Sequence, residues 1–138
     1  MSVVSVVHDG NGKILLMKRG PKARDEQGHW DVVGGALEFG ESFEECIRRE
    51  MAEEILTEPL SIEFLTTYDA HREHEGKKTH WVAVVHLVRV DPKGVGIGEP
   101  HKIDELKWFD IKKLPKPMHS QFPKAYKALR ATKLFVSE

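Results

Sequence analysis

The chain has almost no cysteine, since Cys46 is the only one among its 138 residues. A single thiol excludes an intrachain disulfide, which favours a reducing compartment over secretion. No apolar run approaches the roughly 20 residues that cross a bilayer, and the N-terminus lacks the charged and apolar regions of a secretory signal. We therefore expect a cytoplasmic protein that makes no contact with a membrane.

Neither sign of charge is in clear excess, because the chain has 21 Lys and Arg residues and 22 Asp and Glu residues. Polynucleotide binders usually carry a basic excess or stripe, since their affinity comes from neutralising phosphates. We therefore expect no polynucleotide partner; a small phosphorylated ligand, neutralised by a bound cation, fits this balance better. The length suits one compact domain, residues 1–138, and the chain contains no repeat, low-complexity tract or linker.

Periodicity and turn signals predict a mixed α/β fold. Strands are predicted at 3–7, 13–18, 62–68, 81–90 and 106–109, with a short apolar piece at 30–33 before a Gly34-Gly35 turn. The polar segments 69–80 and 91–102 are predicted to be connections. An amphipathic helix is predicted at 122–135, with Pro123 in its first turn.

The clearest helix is predicted at 42–56. Ser42 and Glu45 form a capping box, which can satisfy the first unpaired N–H groups of the helix. An apolar stripe repeats every four residues and predicts the buried face: Phe43, Ile47, Met51 and Ile55. Cys46 lies on the same helix, where we expect a small buried hydrophobic side chain and no nucleophile.

Three glutamates, Glu50, Glu53 and Glu54, are neighbours on this helix, where like charges repel. Mg²⁺ prefers oxygen ligands, typically one or two carboxylates with water and substrate phosphate, and would turn the repulsion into attraction. Arg49 is placed to pair with Glu53 or to orient Glu50. Taken alone, such an acidic face is more often simply solvated, so the surrounding pattern has to decide.

That pattern resembles the Nudix box, G-x5-E-x7-R-E-U-x-E-E-x-G-U, where U is a bulky apolar residue. Every spacing is correct for Gly35, Glu41, Arg49, Glu50, Met51, Glu53 and Glu54. Leu56 stands where the family has glycine, which removes a favourable left-handed stop after the helix. Two more positions depart from the family pattern. Thr57 stands where the family has an apolar residue, and Val33 stands where many members have proline.

Further segments are similar to the MutT-like branch of nucleotide pyrophosphohydrolases, notably 34–46 and 99–102 before Trp108. The resemblance implies a Nudix-type α/β/α sandwich with a mixed β-sheet, and a Mg²⁺ cofactor, with Mn²⁺ as the other option. It implies metal ligation by Glu50, Glu53, Glu54 and the Gly34 carbonyl, with Arg49 orienting them and Glu50 the favoured general base. A fourth ligand from Glu99, His101 or Glu105 stays open.

The same resemblance makes Arg19 a candidate phosphate clamp and gives Gly35 and Leu37 as candidate substrate contacts. It favours hydrolysis of a nucleoside triphosphate to monophosphate and pyrophosphate, with 8-oxo-dGTP or a related dNTP as one option. The alternatives are an ADP-ribose or other nucleoside diphosphate-sugar pyrophosphatase, and a catalytically idle module that senses a nucleotide. Trp30, Trp81 and Trp108 could stack on a base, although packing is the commoner role. Exposed strand edges make a homodimer an option.

Overall fold

A computed structural model describes residues 1–133 of the chain. The strands are β1 (Ser2–His8), β2 (Lys13–Arg19), β3 (Trp30–Asp31), β4 (Val33–Ala36), β5 (Ser61–His74), β6 (Lys77–Arg89) and β7 (Ile103–Asp110). The helices are α1 (Phe43–Ile55) and α2 (Phe122–Leu129), and Pro92–Gly94 forms a short 3₁₀ turn. No helix in this part of the chain has the length and apolar character needed to cross a membrane.

The strands form one mixed sheet in the order β3-β2-β1-β6-β5, with β4 on β1 and β7 on β2. β1 runs parallel to β6 and antiparallel to β2 and β4. Side chains of alternate residues leave opposite faces of each strand. Val3 and Leu15 pack with Met51 of α1, whereas Val6 and Ile14 pack with α2. The predicted α/β/α sandwich with a mixed sheet is therefore confirmed.

Helix α1 begins as the sequence predicts. Ser42 accepts a hydrogen bond from the Glu45 backbone and the Glu45 side chain accepts one from the Ser42 backbone, so the capping box is present. Cys46 is fully buried, as expected, and so are three residues of the predicted stripe: Ile47, Met51 and Ile55. Phe43 in the first turn stays 40% exposed, and its ring lies tilted against the His86 ring with the ring centres 5.8 Å apart.

The predicted connection at 69–80 is wrong. β5 continues to His74 and β6 begins at Lys77, so this region is a long antiparallel hairpin. Glu75 and Gly76 form its two-residue turn with φ of 53° and 78°. Turns of this kind match the twist of the paired strands. Polar residues fill both strands here because they extend beyond the core, so the hydrophobic alternation that marks a strand is missing.

The Gly34-Gly35 pair is also placed differently from the prediction. Both glycines lie inside β4, opposite Val4 and Val3 of β1, and form no turn. The predicted C-terminal helix is confirmed at its start, where Pro123 occupies the first turn of α2. Its predicted end at Phe135 lies outside the described residues.

Candidate metal and substrate site

The three glutamates of α1 gather over the glycine pair of β4. Glu50 is 9% exposed, and Glu53 stays half exposed. The Gly34 backbone partly offsets the rise in the pKa of Glu54, whose Oε1 atom is buried without a hydrogen-bond partner among the described residues. A buried oxygen without a hydrogen-bond donor is unfavourable unless a bound ion or ligand pairs with it.

The electrostatics of this cluster favour the binding of a positive charge. Burial, followed by repulsion from Glu50 and Glu99, raises the pKa of Glu54 to about 8. Burial also raises the pKa of Glu50, and Glu53 adds to that rise. A hard divalent cation would supply the charge and bind the unpaired oxygen, because Mg²⁺ prefers carboxylate oxygens. The residues present therefore fit a metal of this type.

Gly35 makes room for the Glu50 carboxylate. A Cβ atom built on Gly35 would lie 2.1 Å from Glu50 Oε2, well inside any permitted contact. A Cβ atom on Gly34 would lie 3.0 Å from the Val3 carbonyl oxygen of the paired strand. The glycines thus let the strand backbone and the helix carboxylates approach each other closely. This close approach, and not a turn, is the physical reason for glycine at these positions.

Arg49 holds the acidic side chains in place. Its Nε and Nη2 atoms donate to the two carboxylate oxygens of Glu41 at 2.6 and 3.0 Å. Its Nη1 atom donates to Glu50 at 2.8 Å and to Glu53 at 3.4 Å, so both contacts considered from the sequence are made. The hydrogen bond from Arg49 lowers the pKa of Glu41 to about 2. Such paired, planar contacts fix the arginine and hence the carboxylates it touches.

Helix α1 ends without the glycine that the family has at position 56. Leu56 itself takes the left-handed conformation, with φ of 57°. This conformation is unfavourable for a non-glycine residue by roughly 1–2 kcal/mol. The backbone N–H groups of Gly96 and Gly98 donate to the carbonyl oxygens of Ile55 and Glu54, each at 2.9 Å. These bonds satisfy helix carbonyls that otherwise lack partners.

The same loop brings Glu99 to the cluster. Glu99 acts on both Glu50 and Glu54, raising their pKa values, whereas His101 and Glu105 are exposed to solvent. Of the three candidates for a fourth ligand, Glu99 is the one the fold places beside the other acids. The sequence could not choose because the choice depends on how the 91–102 loop packs against α1.

Gly98 leads to a first prediction. A Cβ atom there would lie 2.0 Å from the Glu53 carbonyl oxygen, and neither backbone can yield without moving the loop from the helix. We expect Gly98→Ala to raise the Mg²⁺ concentration for half-maximal activity about 10- to 100-fold. This is the usual effect of losing a contact that positions the metal ligands. Metal titration of activity and of thermal stability measures this effect.

Gly94→Ala is the matched control, because its Cβ would lie 3.4 Å from Thr57 Oγ1, an ordinary contact. Equal behaviour of the two variants would contradict the prediction.

A cavity of about 350 Å³ opens beside the glutamates. It extends from Gly34, Gly35 and Glu54 between the sheet and the start of α2. Aromatic rings from β5, β6 and α2 line it: Tyr68, Trp81 and Phe122. Trp30, by contrast, is buried and packs edge to face on Phe109, and Trp108 packs against the α1-side core. Of the three tryptophans, only Trp81 is placed to meet a ligand.

The other two candidate substrate residues, Arg19 and Leu37, are less well placed to contact a substrate. Arg19 lines the cavity, but its guanidinium already pairs with Asp25 at 2.9 Å and Asp31 at 3.3 Å. A phosphate would have to compete with both carboxylates. Leu37 packs against the α1-side core and does not line the cavity, so the structure does not support its role as a substrate contact.

Sequence reasoning missed an ionic network on the cavity wall. Arg72 of β5 donates to Asp25 at 2.6 Å and to Glu26 at 2.9 Å. Glu26 also accepts hydrogen bonds from the backbone and hydroxyl of Ser120, and its carboxylate lies 3.1 Å from His119 Nε2. The partners are 46 to 94 residues apart in the chain, so no local pattern reveals them.

The ligand atoms of Asp25, Glu26 and His119 lie within 4.8 Å of one another, close enough to hold an ion. Arg72 already supplies a positive charge to both of these carboxylates. The glutamates of α1 fit a metal better than this cluster does, because Glu54 Oε1 has no hydrogen-bond partner among residues 1–133.

An acidic helix end over a glycine strand, open to a cavity of ligand size, is an arrangement that suits a hydrolase of phosphoric anhydrides. The NUDIX domain model matches residues 1–129, and the chain belongs to the Nudix hydrolase family. It is thus a pyrophosphohydrolase that acts on nucleotides, in a family that generally depends on divalent metals.

Named relatives agree with this membership. The chain is 32% identical to the CTP pyrophosphohydrolase of Escherichia coli (strain K12), a match covering 78% of this chain and 74% of that protein. It is also 32% identical to the oxidized purine nucleoside triphosphate hydrolase of Danio rerio, over 83% of this chain and 68% of that one. A crystal structure of a MutT NUDIX hydrolase from Burkholderia pseudomallei superposes with a TM-score of 0.81 and 28% identity, covering 93% and 95% of the two chains.

Proposed function

We propose that the chain, acting as a single cytoplasmic domain, hydrolyses a nucleoside triphosphate to the monophosphate and pyrophosphate with Mg²⁺. Mn²⁺ is the second candidate metal. The observation that carries the proposal is the continuity of the cavity with Glu54 and the glycine pair. A nucleoside bound in the cavity would direct its phosphates at the acidic helix end.

The arrangement of the acidic cluster supports the following roles. Glu50, Glu53 and Glu54 would hold the metal, together with the Gly34 carbonyl, and Glu99 is the added candidate. When bound, the metal supplies Lewis acidity toward the phosphate oxygens and lowers the pKa of water. Arg49 would keep Glu50 and Glu53 oriented through the contacts described above. Glu50, whose pKa is raised by burial, is suited to accept a proton from the attacking water.

The size of the cavity favours a triphosphate over a nucleoside diphosphate-sugar. Ligand pockets range from about 300 to 1,000 Å³, and 350 Å³ lies at the small end of that range. One nucleoside fits such a volume, whereas ADP-ribose carries a second sugar that would need additional space. The idle sensor is disfavoured because all three glutamates are present and one of them, Glu54, has a buried oxygen without a partner among the described residues.

Product analysis tests the proposal. The purified chain is incubated with Mg²⁺ and a panel of NTPs, dNTPs, 8-oxo-dGTP, ADP-ribose, dinucleoside polyphosphates and NADH, and products are separated by chromatography. We expect monophosphate and pyrophosphate from triphosphates, with no release of orthophosphate. Cleavage of ADP-ribose alone would replace the proposal by its alternative. Nucleotide-induced stabilisation without any turnover would indicate the sensor.

A further inference from the structure

Most polar groups on the cavity wall are already paired with one another. Arg19 donates to Asp25 and Asp31, and Arg72 donates to Asp25 and Glu26. His119 is also fully used: its Nδ1 accepts the Gln121 N–H at 3.2 Å and its Nε2 faces Glu26 at 3.1 Å. This network fixes the 20–28 loop against β5 and α2. It leaves Arg19, Arg72 and His119 little capacity to recognise a ligand.

Two acceptors in the same cavity retain unused capacity. Gln121 Oε1 is buried and has no hydrogen-bond partner among the described residues. Among residues 1–133, Asp31 Oδ1 accepts only the Val32 N–H at 2.8 Å, and Oδ2 has only the long 3.3 Å contact with Arg19. Each carboxylate oxygen has two lone pairs, so one remains free on each. The Asp31 side chain is 19% exposed, and it lines the cavity.

Unused acceptors in a largely buried wall select ligands that present donors, because an acceptor left unpaired there is unfavourable. A carboxylate is matched by two neighbouring N–H donors, which it can accept side by side. Among the common bases, guanine alone presents such a pair, at N1 and the 2-amino group. Adenine and cytosine present one amino group beside a ring acceptor, which would face the carboxylate unfavourably. Uracil presents a single ring N–H.

We propose that Asp31 is the specificity-determining residue for the base and that the enzyme selects triphosphates of guanine or of guanine derivatives that keep the N1–H and 2-amino pair. The inference rests on the proposed hydrolysis of nucleoside triphosphates. 8-Oxoguanine keeps the same donor pair and belongs to this class. Gln121, with its free oxygen, offers an additional acceptor to the base, while Tyr68 and Trp81 supply the aromatic walls.

Inosine provides the sharpest test, since it differs from guanosine only by the missing 2-amino group. We expect kcat/KM for GTP to exceed that for ITP by about 10-fold and that for ATP by about 10- to 100-fold, as expected for a bidentate contact. Asp31→Asn replaces one acceptor by a donor at constant shape. It should lower kcat/KM for GTP about 10- to 100-fold while changing that for ATP less than about threefold. Asp104→Asn, an exposed aspartate of β7, is the control and should change neither.

A binding measurement separates this inference from the proposed function. Calorimetric titration of the unmodified protein with GMP, IMP and AMP, in chelator, needs neither metal nor turnover, and GMP should bind about 10-fold more tightly than IMP. Equal affinities for GMP and IMP, or a base preference unchanged in Asp31→Asn, would overturn the role of Asp31. Failure to hydrolyse any triphosphate, with the GMP preference intact, would overturn the proposed function and leave base selection standing. If Asp31→Asn does not fold, as judged by thermal melting, Asp31→Glu takes its place. It keeps the charge that faces Arg19 but moves the carboxylate by one methylene, so the ratio of GMP to IMP affinity should fall, and an unchanged ratio would overturn the role of Asp31.

Discussion

Glu53→Gln is expected to lower kcat by about 10³-fold, or about 4 kcal/mol of transition-state stabilisation, because a metal ligand would lose its charge. The side chain is half exposed and its only described contact is the 3.4 Å bond from Arg49, so the fold should be unchanged. The effect is measured as initial rates with saturating Mg²⁺ and the triphosphate that the substrate panel selects. Circular dichroism and thermal melting check the fold.

Glu44→Gln is the matched control for that variant. Glu44 lies on the same helix and also pairs with an arginine, Arg48, at 3.0 Å, but it is exposed and away from the cluster. Exposed ion pairs of this kind contribute little to stability, so its loss should change neither rate nor melting temperature appreciably. Melting with and without Mg²⁺ adds an independent readout, since a ligand that binds the native state raises the melting temperature. Wild-type rates in Glu53→Gln would remove Glu53 from the metal shell.

Gly35→Ala is expected to reduce kcat about 100-fold with only a small loss of stability. The added Cβ would overlap the end of the Glu50 side chain, 2.1 Å from Oε2, and not a backbone atom. The carboxylate can swing away, so the sheet is preserved while the acidic cluster is rearranged. Displacements of about 1 Å at a reacting centre lower rates by about 10². Steady-state kinetics and thermal melting, measured together, show whether the two effects separate.

A double-mutant cycle with Glu50→Ala identifies the cause of the Gly35 effect. Once the Glu50 carboxylate is gone, the extra methyl group has nothing to displace, so Gly35→Ala should have little further effect on kcat. This strong non-additivity is the signature of two residues that act through one contact. Additive losses would show that Gly35 acts on the substrate or the strand directly, independently of Glu50.

The acidic helix could be predicted because its information is local. The capping box, the apolar stripe and the spacing of Glu50, Glu53 and Glu54 all lie within four helical turns, where α-helix geometry fixes which residues are neighbours. The mixed sandwich could be expected from the family resemblance. The 69–80 segment could not be predicted as strand, because exposed strands carry no apolar alternation and their pairing is stabilised by backbone hydrogen bonds that any residue can make.

The cavity depends on contacts that no sequence spacing encodes. Asp31 is unremarkable in the chain and gains its role only where β3, β5 and the start of α2 meet. Arg19 suggested a phosphate clamp by its position on β2, yet Asp25 and Asp31 pair with it in the folded protein. Glu99 could be singled out only after the 91–102 loop was seen hydrogen-bonded to the end of α1.

The sequence by itself therefore determined the catalytic family and the helix that carries its acids, since both depend on short-range spacing along β4, the loop that follows it and α1. The tertiary structure alone decided which groups line the cavity and which of them still have hydrogen-bonding capacity. Those properties depend on long-range packing, through which residues such as Glu26 and Ser120, 94 positions apart, become direct partners.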